Sequence, residues 1–386
     1  MKFSEHPLWL VGFRPFFALA CFAGMLLPVI WVAMFSGKFL SPPMPFSMIQ
    51  WHAHEMFFGF GWAALGGFML TATKNWVKIR GYHGLALIYL VVVWLAERAA
   101  VWFQGALPPT TFFVANNLFL TSIVVMLLVS LIRHREKDSY PDNYFFLVML
   151  PAFLIAKNVL LSADHFQNGI DMTIGLFRIA FLVMFERTLT QFMRNVFNVD
   201  ILRNPLLDTT IKSLAVLLVP ASFMAAPVAG WIGLLLAVLM LVRLTFWKPQ
   251  LAMRRIDLGI MYLGYLAIAT QLVLKFLDQT IEPGWVGTVS IHVFALGAMG
   301  LVIPAMIVRI AKGHTGRKVA FDSLDKWVLR IMILGLIVRT VATQIHPAWY
   351  LHWIHLAATC WFVGFAILAW RYVPFLMQAR IDGKEH

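Results

Sequence analysis

The sequence predicts an all-α integral membrane protein, one polytopic domain over residues 1–386 in which about twelve helices form a bundle and both termini face the cytoplasm. Three observations carry this. Hydrophobic residues make up 61% of the chain and charged residues only 13%, a balance that excludes an ordinary soluble enzyme. Apolar runs of about twenty residues recur along the whole length, long enough to cross a bilayer as helices and without the ten-residue alternation of a barrel. Basic residues gather in every second connection between those runs.

The spans follow in order. Span one, near 16–35, opens after Gly12-Phe13-Arg14-Pro15, and no signal-peptide cleavage pattern ends it, so it is expected to remain as a helix. Span two, near 55–73, follows Trp51-His52-Ala53-His54-Glu55-Met56. Span three, 84–103, carries Glu97 and Arg98; span four, 112–132, ends at a basic cluster. Span five, 144–163, carries Lys157 and Asn158 and leads to His165. Span six, 172–194, carries Arg178 and closes on Glu186, Arg187, Arg194 and Asn195, which read as an ion-paired structural knot. Spans seven and eight, 211–227 and 229–247, share one run divided at Ala226-Pro227-Val228-Ala229-Gly230. Span nine, 257–277, carries Lys275; span ten, 287–309, begins near His292; span eleven, 326–345, carries Arg339; span twelve, 350–371, begins at His352 and His355.

Lys74, Lys78 and Arg80 follow span two; Arg133, Arg135 and Lys137 follow span four; Arg203 and Lys212, Lys248 with Arg254 and Arg255, and Lys312 with Arg317 and Lys318 follow spans six, eight and ten. The connections after odd-numbered spans hold only Lys38. By the positive-inside rule both termini lie in the cytoplasm, and the net charge of +13 is a topology signal rather than a nucleic-acid surface. Cys21 and Cys360 both lie in apolar runs, so there is neither a disulfide framework nor a Cys-x-x-Cys-His for covalent haem attachment.

This topology sorts the histidines. His52, His54, His165, His292, His346, His352 and His355 fall at or near the outer face; His6, His83, His134, His314 and His386 fall inside. Two imidazoles and a carboxylate at the entrance of span two are costly to desolvate, and imidazole is the commonest protein ligand for transition metals and haem iron. The residues therefore point to a metal or haem site at His52 and His54, with interfacial anchoring as the plainer alternative. Residues two apart on a helix diverge by about 200°, so these two serve different centres, or one ligates while the other orients. His352 and His355, three apart, share a helical face suited to one metal ion. His54-Glu55 is not a zincin motif, because Phe58 stands where the second histidine belongs. His346, beside Pro347, reads as a loop anchor.

Arg98, Lys157, Arg178, Lys275 and Arg339 map to the outer halves of their helices. With Glu55 and Glu97 they suggest a net-positive interior suited to haem propionates or a small anion; ion pairing with the two glutamates and snorkelling form the alternative.

At this point the residues carry a resemblance. Gly12-Phe13-Arg14-Pro15-Phe16-Phe17, Trp51-His52-Ala53-His54-Glu55-Met56 with Phe58-Gly59-Phe60, Asn75-Trp76, and His292 with Gly297 and Gly300 resemble the NnrS family. So do Arg309, Gly313-His314-Thr315-Gly316-Arg317, Trp370-Arg371-Tyr372-Val373-Pro374 and Ala379-Arg380-Ile381-Asp382-Gly383-Lys384. The resemblance implies a twelve-span protein of the bacterial inner membrane that binds haem, a non-covalent haem b, with copper also possible, and belongs to the response to nitric oxide and nitrosative stress. It supports His52, His54, His165, His292 and His314. The metal-ligand candidates are thus His52, His54, His292, His165, His352 and His355, and Arg98, Lys157, Arg178 and Arg339 are candidates for the propionates. His314 lies on the opposite side and reads as part of a tight turn after span ten. Nitric oxide and the lipid bilayer are the expected partners, the electron donor is open, and any enzyme activity would be haem-dependent oxidoreduction of nitric oxide. A transporter of metal, haem or a small anion, or a membrane sensor of nitric oxide, are the competing classes; no internal repeat and no large cytoplasmic loop favours either.

Overall fold

Long apolar runs become helices here because a helix satisfies every backbone N–H and C=O within its own segment, which hydrocarbon demands. The computed structural model describes residues 2–39 and 45–384, so His386 lies outside the described residues. Helix makes up 81% of the fold, with no strand among the described residues. Twelve helices are long and apolar enough to cross a bilayer. They are α1 (Phe13–Phe35), α2 (Met48–Trp76), α3 (Leu85–Trp102), α4 (Pro109–Arg133), α5 (Pro141–Leu161), α6 (Phe166–Phe197), α7 (Pro205–Phe223), α8 (Ala226–Phe246), α9 (Ile256–Thr280), α10 (Val289–His314), α11 (Ser323–Ile345) and α12 (Pro347–Leu376). The chain is accordingly a multi-pass membrane protein.

Three boundaries differ from the sequence expectation. The α2 helix begins at Met48, seven residues before Glu55, because Ser47 and Gln50 form a reciprocal capping box. The break between α7 and α8 falls at Met224 and Ala225 rather than at 226–230; Pro227 sits in the first turn of α8, where it has no helical hydrogen bond to lose. The α10 helix runs on to His314, so that histidine ends the helix and the turn starts at Thr315, with Gly316 at φ +80°.

The chain divides into two compact units: Met1–Phe166, Met306–Ala320 and Phe362–His386 form the first, Gln167–Ala305 and Phe321–Trp361 the second. In the first, α1 and α2 pack closely through small residues: a Cβ on Gly12 would lie 2.4 Å from Leu70 and one on Gly67 2.6 Å from Phe16. In the second, α9 and α10 do the same, with a Cβ on Gly264 falling 2.4 Å from Val302 and one on Gly297 2.5 Å from Ala267.

The chain's last turn knots the first unit at one end. Arg14 Nη1 donates to the carbonyls of Leu376 (2.8 Å) and Gln378 (2.6 Å), and Arg380 Nη1 donates to that of His314 (3.2 Å). The Arg317 guanidinium lies 3.9 Å from the Phe375 ring centroid, and the His314 ring packs on Phe13. His314 is therefore a packing residue of this knot. Arg380 also holds Asp382 (2.6 Å) and keeps its carboxyl at about 2, below the ordinary 3.8. Because the folded value is depressed, the contribution of this pair is full above the unfolded value and disappears as pH falls through about 2. We expect the difference in melting temperature between the wild type and Asp382→Asn to be constant above pH 4 and to close on acidification; a gap that persists unchanged at pH 2 would show the assignment to be wrong.

Candidate functional site

The early start of α2 places both His52 and His54 on helix, so their side chains leave the axis in nearly opposite directions. His52 stacks on Trp31 of α1, ring centroids 4.3 Å apart. His54 points the other way and is fully buried. Its Nδ1 lies 3.0 Å from Glu55 Oε1; its Nε2 lies 3.0 Å from Asn116 Oδ1 on α4 and 3.7 Å from Glu97 Oε1 on α3.

Glu97 is the centre of the cluster. Its Oε1 accepts from Lys157 Nζ of α5 (2.5 Å) and from Arg98 Nη2, while Lys157 also donates to the Asn116 carbonyl. Arg98 Nε lies 3.1 Å from Glu55 Oε2. Two carboxylates face two cations, so with a neutral imidazole the cluster has no net formal charge. Desolvating four such ions costs several kcal/mol each, which mutual attraction offsets only when all partners are present. Beside it, Asn117 and Asn158 exchange amide hydrogen bonds of 3.2 and 2.8 Å.

The backbone adapts to this cluster. From Glu55 to Gly61 the helix widens to a π-helix, a conformation rare in proteins and frequent at functional sites. A Cβ on Gly59 would fall 2.8 Å from Arg98 Nη1 and 3.3 Å from Glu55 Oε2, so the glycine makes room for the ion pair. Two further π-segments occur among the described residues. One, Val293–Met299, immediately follows His292; the other, Val338–Ala342, contains Arg339. All three lie at positions that the sequence marks out by their polar residues.

His292 belongs to the second unit. Its Nδ1 lies 2.8 Å from the Thr288 carbonyl and 2.9 Å from the Thr288 hydroxyl; in the tautomer that donates from Nδ1 to the carbonyl, the lone pair of the neutral ring is on Nε2. In the same unit Arg178 Nη2 donates to Gln271 Oε1 (2.8 Å), Lys275 pairs with Asp171 (3.1 Å), and Arg339 reaches the Tyr350 hydroxyl (3.3 Å). The knot expected around Glu186 also forms, with different partners. Glu186 meets Arg203, Lys212 (3.2 Å) and Arg243 (3.6 Å), and Asp208 completes it; Arg194 pairs with exposed Asp200 instead.

His165 is exposed in the turn between α5 and α6. His352 is exposed against Trp349, as an interfacial anchor would be, and His355 is half-buried one turn along. Among the described residues, no group of three or more His, Cys, Asp or Glu side chains is arranged to hold a metal ion.

A haem iron needs one in-plane imidazole lone pair, not such a cluster. His54 does not fit this need, since Glu55 and Asn116 occupy both its nitrogens. His52 fits, because stacking on Trp31 uses the ring face and fixes its plane. His292 fits in the tautomer that donates from Nδ1 to the Thr288 carbonyl. Among the expected propionate partners, Arg98 and Lys157 are already neutralised by Glu55 and Glu97; among the described residues, Arg178 hydrogen-bonds the neutral Gln271 side chain and Arg339 the Tyr350 hydroxyl.

Sequence reasoning missed Asn116 and Gly59. Two adjacent amides inside the apolar run of α4 were the available signal for the first. The second stands in the Phe58-Gly59-Phe60 stretch of the resemblance, but its role depends on Arg98 arriving from another helix.

Fold and site together define a helical multi-pass membrane protein with a charge-balanced histidine cluster buried among its spans. The chain belongs to the NnrS protein family, matched over residues 7–380. No curated protein matches it in sequence.

Proposed function

We propose that this is a haem-binding protein of the bacterial inner membrane, with N and C termini inside, that captures nitric oxide in defence against nitrosative stress. Membership of the NnrS family fits a membrane protein connected with nitric oxide and nitrosative stress. The observation that carries the haem reading is the pair of π-helical segments that begin just after His54 and just after His292. His52 and His292 are the residues that would individually hold the haem iron, and His54 is a positioning residue that anchors the π-segment to Glu55 and Asn116. Arg178 and Arg339 are the cations available to propionates. When bound, haem iron would supply the coordination position for nitric oxide, and copper is the proposed second metal. In the tautomer that donates from Nδ1, the Thr288 carbonyl holds the His292 proton, and Trp31 holds the plane of His52. Nitric oxide is small, uncharged and lipid-soluble, so a site within the bilayer needs no channel.

The test is to purify the protein in detergent after expression with adequate haem supply, and to record oxidised, reduced and nitric-oxide-treated spectra with iron and copper analysis. We expect stoichiometric b-type haem, loss of a low-spin spectrum in His52→Ala or His292→Ala, and retained haem with lower thermal stability in His54→Ala. Absence of haem sinks the reading; unchanged spectra in both ligand variants sink the ligand assignment. Anaerobic consumption of nitric oxide with an electron donor separates turnover from binding.

A further inference from the structure

The second unit contains an open cleft walled by α6, the end of α7, α8 and α9, with about 490 Å³ of space that includes its solvent mouth. Its charged wall is made by Arg178, Lys275 and Asp171, two cations against one carboxylate. Lys275 Nζ spans both oxygens of Asp171 at 3.1 Å, so that carboxylate is already engaged. Arg178 is only 5% exposed. Its single hydrogen bond among the described residues is from Nη2 to the neutral Gln271 side chain, and its buried Nε has no hydrogen-bond partner there. A buried guanidinium with unused donors, facing a cleft, is an unfilled half of a fork-to-fork pair.

The rest of the cleft has the opposite character. Ile174, Leu272 and Phe276 supply apolar wall, and α8 presents glycines: a Cβ on Gly230 would fall 2.7 Å from Gln279 Oε1, whereas one on Gly233 would meet only Leu272, at 3.7 Å. The wall beside the guanidinium therefore suits an anion that carries a hydrocarbon part. We propose that this cleft binds an organic carboxylate, its two oxygens on Arg178 and its hydrocarbon part against the Ile174, Leu272 and Phe276 wall. Guanidinium geometry selects a planar pair of oxygens over a spherical ion. The carboxylate can come from a free small acid or from a propionate of a larger bound group; the site itself does not depend on the haem reading.

The probe is butyrate, with butyramide as its uncharged isostere, added to the full-length protein in detergent and read by thermal shift and by calorimetry. Butyrate is expected to raise the melting temperature in a saturable way and butyramide to leave it unchanged. Arg178→Met is expected to abolish the shift, Arg178→Lys to weaken binding at least about tenfold because the fork is lost, and Gly233→Leu to block the cleft while leaving every cation in place. Binding to haem-free and haem-containing preparations alike assigns the cleft to a free acid; binding confined to haem-free protein assigns it to the prosthetic group's own carboxylate. Equal response to butyrate and butyramide overturns the proposal, as does unchanged binding in a folded Arg178→Met or Gly233→Leu protein.

Discussion

Glu97→Gln is expected to destabilise the protein by about 3–5 kcal/mol, the range for removing one partner of a buried ion pair. Its Oε1 is shared by Lys157 and Arg98 and approached by His54, and Glu97 and Lys157 are fully buried. Glutamine keeps the shape and an acceptor oxygen but removes the charge, leaving two cations, Lys157 and Arg98, with Glu55 as the remaining carboxylate of the cluster. Thermal or denaturant unfolding in detergent reads the effect. Lys157→Met should cost a comparable amount, and the double variant less than the sum, with a coupling of at least about 1 kcal/mol, because it removes both charges together. Strict additivity, or a Glu97→Gln protein that melts like the wild type, would mean that the cluster is not held together as an ion-pair network.

Glu186→Gln should cost about 3 kcal/mol, at the lower end of the same range because Arg203 keeps a third of its side chain in solvent. It takes from Lys212 the carboxylate it meets and leaves Asp208 to Arg203 and Arg243, so that three cations share a knot with one carboxylate. The nearby Arg194–Asp200 pair is the internal control: its side chains are 63% and 70% exposed, so Arg194→Ala should change stability by no more than about 1 kcal/mol. Equal losses in the two variants would contradict the distinction drawn between a buried knot and a solvated pair.

The two clusters differ in how visible they are along the chain. The polar residues at the entrance of span two, the Glu97-Arg98 pair and Lys157 announce themselves because each interrupts an apolar run and is expensive there. Their pairing is another matter. Whether Arg98 and Lys157 stand ready for an external anion or are neutralised within the cluster depends on which rotation each helix takes, and no local pattern encodes that. Similarly, the sequence offers Glu186 its neighbour Arg194, which pairs with Asp200 instead, whereas Glu186 meets residues 203, 212 and 243 from other segments. His314 reads as a turn residue because Gly313 and Gly316 flank it; the helix absorbs the first of these glycines and turns at the second.

Hydrophobic run length determined the number of spans, since the cost of unpaired backbone in hydrocarbon leaves little choice but twelve helices. The 3.6-residue period likewise determined that His52 and His54 diverge, once both are helical. Only the tertiary structure decided what each then meets. The face toward Trp31 keeps His52 as a ligand candidate, while the face toward Glu55, Asn116 and Glu97 takes both nitrogens of His54. The π-helical turns belong to the same category: they trade regular helical geometry for the placement of side chains supplied by distant segments, as Gly59 does for Arg98, so their cause lies outside the stretch of sequence that adopts them.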